Sequence, residues 1–208
     1  MLHTGTVKPT TLSILKGLMA LPGLENFYLV GGTALSLRYG HRTSIDLDLF
    51  ADQNFDNHSI IESVCKKFTT FSYRSDDNPI GIFGFIDDVK IDLIRHHYFP
   101  RIAPAQVEDG IRFFSDDDII AMKIMTVLKR AQKKDFWDLA ELFKYYSLKY
   151  CIDCYDRKYP NNQILISVPM ALTYFAEADE SEEPVSLKGQ TWQSVKQAIS
   201  KTVNDFLK

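Results

Sequence analysis

The stretch Ile45-Asp46-Leu47-Asp48-Leu49-Phe50 constrains this chain more than any other. Apolar and acidic residues alternate in it. A β-strand here puts Ile45, Leu47 and Leu49 on one face and Asp46 and Asp48 on the other. Residues two apart on a strand project from the same face, about 6.5–7 Å apart. Two anions at that spacing repel, and aspartate is depleted in strands, so the pattern is costly unless a cation lies against it. The plain alternative is an exposed strand edge with solvated carboxylates, and an Asp-x-Asp pair alone does not decide between the two.

A second feature lies just upstream. Residues 26–30 (NFYLV) form a short apolar strand closed by Gly31-Gly32, and residues 33–39 suit a short helix ended by Gly40. A strand, a Gly-Gly turn and a helix start together aim backbone N–H groups at a phosphate. Glycine accepts positive φ and leaves no Cβ in the way of a ligand. A lone Gly-Gly reads as a tight turn, but one that feeds a helix and then an acidic strand is more specific. The carboxylates suit a hard cation such as Mg²⁺, which is commonly held by one or two carboxylates plus substrate phosphates.

The remaining periodicities divide the chain. Residues 11–24 read as an amphipathic helix ending near Pro22, and 57–68 as a helix with Ile60, Ile61, Val64, Cys65 and Phe68 facing inward. Strand-like runs follow at 69–74, 80–86 and 88–95, with Asp87-Asp88 turning between the last two. Residues 96–114 are mixed, with a short strand at 111–114. From 115 the period becomes helical. Ser115 and Asp118 have capping-box spacing ahead of Ile119, Ile120, Ile124, Val127 and Leu128, and a second helix begins near Asp135. Residues 150–208 read as helical, with an acidic, proline-containing loop at 177–186. Strands in the first half and helices in the second predict an α+β protein.

With 208 residues, 14 Phe, 10 Tyr and 2 Trp, the chain can bury a sizeable core. Its net charge of −3 excludes a global basic field, so any RNA contact needs a local patch. Three cysteines make no disulfide framework, and Cys151-Ile-Asp-Cys154 supplies only half the ligands of a structural zinc site. No segment reaches the roughly 18 apolar residues of a membrane span, and the N-terminus lacks a signal pattern, so a reduced, cytoplasmic protein is expected.

The run Val30-Gly31-Gly32-Thr33-Ala34-Leu35, followed by Gly40-His41-Arg42-Thr43-Ser44 and Asp46-Leu47-Asp48-Leu49-Phe50, resembles the AbiEii/AbiGii toxin family. Those proteins are nucleotidyltransferases of the DNA polymerase beta superfamily. The resemblance continues through Lys123, Arg130 and Lys134-Asp135-Phe136-Trp137-Asp138-Leu139, so it covers roughly residues 26–145. It implies a nucleotidyltransferase-type mixed sheet with helices in residues 1–114, as a catalytic domain. Residues 115–208 would be a helical domain completing the nucleotide site.

It also implies roles for particular residues. Gly31, Gly32 and Thr33 would meet the triphosphate, and Asp46 and Asp48 would hold Mg²⁺ or Mn²⁺. A third carboxylate in the superfamily comes from a neighbouring strand. Asp92 is the candidate, because it interrupts the apolar Val89–Ile94 run as Asp46 does its own, although the strand register is open. The later motifs map a lysine and an aspartate onto Lys123 and Asp135, with Arg130 two helical turns beyond Lys123. On the residues alone, those cations read as a solvated helix face and Asp135 as a helix N-terminal charge. Arg42 can pair with a carboxylate or a phosphate, and Ser44 can serve as a supporting donor. His96-His97 read as surface residues, and Phe136 and Trp137 as helical core. The cluster Lys129, Arg130, Lys133 and Lys134 reads equally as an RNA-backbone contact or a solvated helix end.

The function so implied is metal-dependent transfer of a nucleotide from an NTP to an acceptor hydroxyl, on tRNA or another RNA. The chain would be a toxin paired with a cognate antitoxin, or part of a phage-defence pair. Two alternatives stand beside it: a small-molecule acceptor, as in aminoglycoside nucleotidyltransferases, and a non-catalytic relic of the fold that binds NTP or a partner. Retention of every expected acidic position counts against the relic.

Overall fold

Short apolar runs rich in Ile, Leu, Val and Phe pair into one mixed sheet in the computed structural model, which describes residues 1–208. Its strands are β1 (Phe27–Leu29), β2 (Leu47–Ala51), β3 (Ser72–Tyr73), β4 (Gly81–Ile86), β5 (Val89–Arg95), β6 (Gln106–Glu108) and β7 (Ile111–Phe113). They lie in the order β3-β4-β5-β2-β1-β7-β6. The β2–β5 and β1–β7 pairs are parallel and the others antiparallel. Central β2 and β5 bury Leu47, Leu49, Ile91 and Leu93.

Nine helices accompany the sheet: α1 (Pro9–Met19), α2 (Gly31–Tyr39), α3 (Asn57–Lys67), α4 (Asp116–Lys129), α5 (Lys133–Leu142), α6 (Leu148–Lys158), α7 (Val168–Thr173), α8 (Ala176–Asp179) and α9 (Trp192–Phe206). The fold is therefore α+β, with the sheet in the first half and helices filling the second. Ser115 caps α4 by accepting from the Asp118 backbone N–H. Helix α5 is buried along its whole length from Asp135 to Leu142. Phe136 and Trp137 pack there against Trp192, with ring centroids 5.7 and 6.1 Å apart. No helix is long and apolar enough to cross a membrane.

Several local expectations need correction. Regular pairing begins at Leu47, so Asp46 precedes the strand and Ile45 is 62% exposed rather than part of the inner face. The run at 69–74 pairs only at Ser72 and Tyr73. Residues 96–114 hold a full hairpin, β6–β7, turned by Asp109 and Gly110 at positive φ. Helix α1 stops at Met19, and Cys65 lies on the exposed side of α3. His96 is buried rather than superficial, ringed by Phe50, Phe99 and Phe114.

Candidate active site

The chain leaves β1 and enters α2 at Gly31, whose φ of 68° favours glycine. Val30 occupies the N-cap and offers no side-chain acceptor. The first N–H groups of α2 are thus free of side-chain partners, which makes this helix end a ready anion site. Crowding demands the same two glycines. A Cβ on Gly31 would meet Asp48 Oδ2 at 2.8 Å, and one on Gly32 would run into the Arg42 guanidinium. The Asp48 carboxylate is therefore aimed at the bend.

Strand pairing supplies the second carboxylate. β2 and β5 run parallel with Asp48 level with Asp92, so the two side chains stand on neighbouring strands about 4.8 Å apart. Lys90 donates to Asp92 Oδ2 at 2.5 Å, while Asp92 Oδ1 is buried without a partner. Burial first, and then the facing Asp92, pushes the Asp48 carboxyl above its ordinary value. Crowded carboxylates with an orphaned oxygen fit a divalent cation. No three His, Cys, Asp or Glu side chains are gathered tightly enough to enclose a metal unaided. That suits a hard cation completing its shell with water and triphosphate oxygens.

Thr33 and Ser44 fasten the two halves of this arrangement. Their hydroxyls lie 2.7 Å apart, and Thr33 Oγ1 also donates to the Asp46 carbonyl. The side chains join the glycine turn to the acidic segment, so the nucleotide contact expected of Thr33 would fall to its backbone.

The helical half adds the charges above the sheet. Lys123 Nζ lies 2.8 Å from Asp135 Oδ1 and 2.7 Å from Asp138 Oδ2. Arg42 grips Asp138 with Nε and Nη2 at 2.7 and 2.9 Å and donates its Nη1 to the Thr43 carbonyl. His41 Nε2 sits 2.7 Å from the same carboxylate. Burial pushes Asp138 up, but Arg42 and Lys123, with hydrogen bonds from His41 and Arg42, outweigh it and hold the carboxyl well below the usual range. Burial likewise works against the Lys123 ammonium, and Asp135 and Asp138 overcome it and raise its pKa. Of the two partners open to Arg42, a carboxylate or a phosphate, the carboxylate is the one present: the guanidinium locks α5 to the segment before β2 while still lining the cavity.

These groups surround a cavity of about 570 Å³, within the usual span for ligand pockets. Every residue singled out in the sequence for the site lines it. Asp135 Oδ2 is buried there without a partner. Arg130 and Lys134 stand on its wall, whereas Lys133 turns away to bind Ser181. Two features were missed in the sequence. Asp138 is a charge inside a continuously buried helix, three residues after Asp135, and that spacing was the available signal. The second is the wall formed by Glu182–Val185: the sequence marks an acidic, proline-containing loop there, but nothing local shows that it reaches the site. Cys151 and Cys154 play no part: both are buried, and burial pushes their thiols up to about 12 and about 11.

An uncapped helix end over paired strand carboxylates, closed by cations from a helical half, is an arrangement suited to a nucleoside triphosphate, and the family match makes the chain a nucleotidyltransferase-family enzyme. The family described as "Nucleotidyl transferase AbiEii toxin, Type IV TA system" matches residues 13–159. The chain belongs to that family, the nucleotidyltransferase toxins of type IV toxin–antitoxin systems, which brings an NTP as substrate and an antitoxin as counterpart. The uncharacterized protein aq_aa25 of Aquifex aeolicus (strain VF5) is 32% identical over 200 residues, 93% of this chain and 94% of that protein. Among solved structures, JHP933 from Helicobacter pylori superposes with a TM-score of 0.57 at 16% identity, covering 95% of this chain and 92% of its own. MenT4, a nucleotidyltransferase toxin from Mycobacterium tuberculosis H37Rv, gives 0.57 at 14% identity over 93% and 82%. At such identities these likenesses are of fold.

Proposed function

We propose that this chain transfers a nucleoside monophosphate from an NTP to a hydroxyl of an RNA acceptor, tRNA foremost, with Mg²⁺ or Mn²⁺ held by Asp46, Asp48 and Asp92. The observation that carries the reading is Asp48 level with Asp92 and aimed at the glycine bend that starts α2. When bound, the metal supplies charge neutralisation at the α-phosphoryl group and the triphosphate oxygens. The protein residues do the rest. Asp92 Oδ1 accepts the proton of the acceptor hydroxyl as its oxygen bonds to the α-phosphorus. The bond from that phosphorus to the β-bridging oxygen breaks, and pyrophosphate leaves along the N–H groups of α2. Lys123 spends two of its three N–H donors on Asp135 and Asp138 and keeps the third for a phosphate oxygen.

In this reading residues 1–114 are the catalytic domain, and residues 115–208 complete the nucleotide site with Lys123, Arg130 and Asp135. Arg130 and Lys134 on the cavity wall give an RNA backbone its nearest cations, so acceptor binding weakens with salt.

Incubation of the protein and Mg²⁺ with α-labelled or γ-labelled NTPs tests the assignment. With total tRNA, the α-label becomes fixed to RNA and the γ-label does not. Label appearing on aminoglycosides instead would replace RNA as the acceptor. No transfer, together with no thermal shift from any Mg–NTP, would overturn the enzyme reading.

A further inference from the structure

The loop after α8 crosses back over the site and is clamped at both ends. Ser181 is held by Lys133, whose backbone N–H donates to Ser181 Oγ at 2.8 Å and whose Nζ donates to the Ser181 carbonyl at 2.7 Å. Further on, Thr43 N–H donates to the Val185 carbonyl at 3.0 Å, and Leu187 N–H to the His41 carbonyl at 2.9 Å. Arg42 and Ser186 thus pair as an antiparallel bridge, and Lys188 binds Glu141 at 2.6 Å. The strap is fixed on the stretch that leads into the catalytic carboxylates.

Between the clamps, Glu182, Glu183, Pro184 and Val185 form one wall of the cavity. The two glutamates are exposed and have no cation against them. In the proposed reading the phosphates lie under the α2 N-terminus and Lys123, and carboxylates without a cation are poor neighbours for them, so Glu182 and Glu183 are left to face another part of the nucleotide. The remainder of the nucleotide then extends toward the strap. Val185 there is 64% exposed and Ile45 is 62% exposed, and both face the cavity. Two apolar side chains left open on the cavity wall offer a surface for a flat ring to cover.

We infer that Ile45 and Val185 form a shelf for the nucleobase, and that Glu182 and Glu183 select bases bearing an amino group against uracil. An ionised carboxylate only accepts hydrogen bonds. Cytosine and adenine offer an exocyclic amino group, and guanine offers its amino group beside N1–H. Uracil has no amino group: its single N3–H donor lies between two carbonyl oxygens, which a pair of carboxylates repels. The inference rests on the nucleotidyltransferase reading and adds base selection to it.

The test is calorimetric titration of the full chain, with Mg²⁺ present, using non-hydrolysable CTP, non-hydrolysable UTP and inorganic tripolyphosphate. The cytidine analogue is expected to bind about tenfold more tightly than the uridine analogue, the scale of one polar contact. In E182Q/E183Q that ratio falls toward one, whatever the general effect of removing two charges on all three ligands. Ile45→Ser weakens both nucleotides and spares tripolyphosphate. Equal affinities in the parent chain, or a ratio kept in E182Q/E183Q, with tripolyphosphate still bound, would overturn the selection by the glutamates, and unchanged nucleotide binding in Ile45→Ser would overturn the shelf. Failure of tripolyphosphate to bind would remove the nucleotide site itself.

Discussion

Asp138 gathers more of the site's charge than any other residue. His41, Arg42 and Lys123 all reach its carboxylate; Lys123 also meets Asp135, whereas Arg42 has no other carboxylate within ion-pair distance. Asp138→Ala would leave the buried Arg42 without an ion-pair partner and Lys123 with Asp135 alone, a change that typically costs about 3–5 kcal/mol. Urea denaturation should therefore show a large drop in midpoint without a change in slope. Asp48 behaves in the opposite way. Its carboxyl is held above the ordinary value by burial and by Asp92, so ionising it near neutral pH costs the free fold stability. Asp48→Asn removes that cost and also removes a ligand of the proposed metal. The expected signature is a higher Tm without metal, together with a loss of transfer on the order of 10²-fold or more. A lower Tm in this variant would show that the carboxylate is structural.

At the scale of elements, the end of β5 carries a titrating group unrelated to the chemistry. His96 follows the strand into a pocket of Phe50, Phe99 and Phe114. Burial, and then the neighbouring Lys158, lowers its pKa to about 4. An unfolded histidine titrates near about 6.5. Between those values the unfolded chain binds more protons than the folded one, so stability falls as pH drops from about 6.5 toward 4. His96→Phe should flatten that part of the profile, measured as urea midpoints at several pH values. An unchanged slope would place the acid sensitivity elsewhere. The segment before β2 and helix α2 meet through Thr33 and Ser44, so the glycine turn is set by side-chain hydroxyls rather than by a helix cap.

Across the whole molecule, what could be read from the sequence was what local periodicity controls. The alternation of Leu47 and Leu49 with Asp48, the glycine turn, and the change to helical spacing after Ser115 each depend on neighbours a few residues away, and each yields an element where it was expected. Whatever depends on distant pairing was not legible. The register that sets Asp92 beside Asp48 follows from β2 meeting β5 in parallel, with no turn between them to fix it. The same limit hid Asp138 as a charge hub, because its partners lie 97, 96 and 15 residues away in the chain, at His41, Arg42 and Lys123. It hid the strap too, whose glutamates reach the cavity only because Val185 and Leu187 pair with residues near position 42. His96 was misread for a related reason: its burial is decided by three rings from separate segments.

The central claim is that Asp48 and Asp92 hold a divalent cation against a triphosphate lying on the N-terminus of α2. Mn²⁺ binding followed by electron paramagnetic resonance tests it without requiring turnover or knowledge of the acceptor. The parent chain should bind Mn²⁺ more tightly when a non-hydrolysable NTP is added, and Asp48→Asn and Asp92→Asn should each lose that enhancement. Equal enhancement in the parent and both variants would contradict the account.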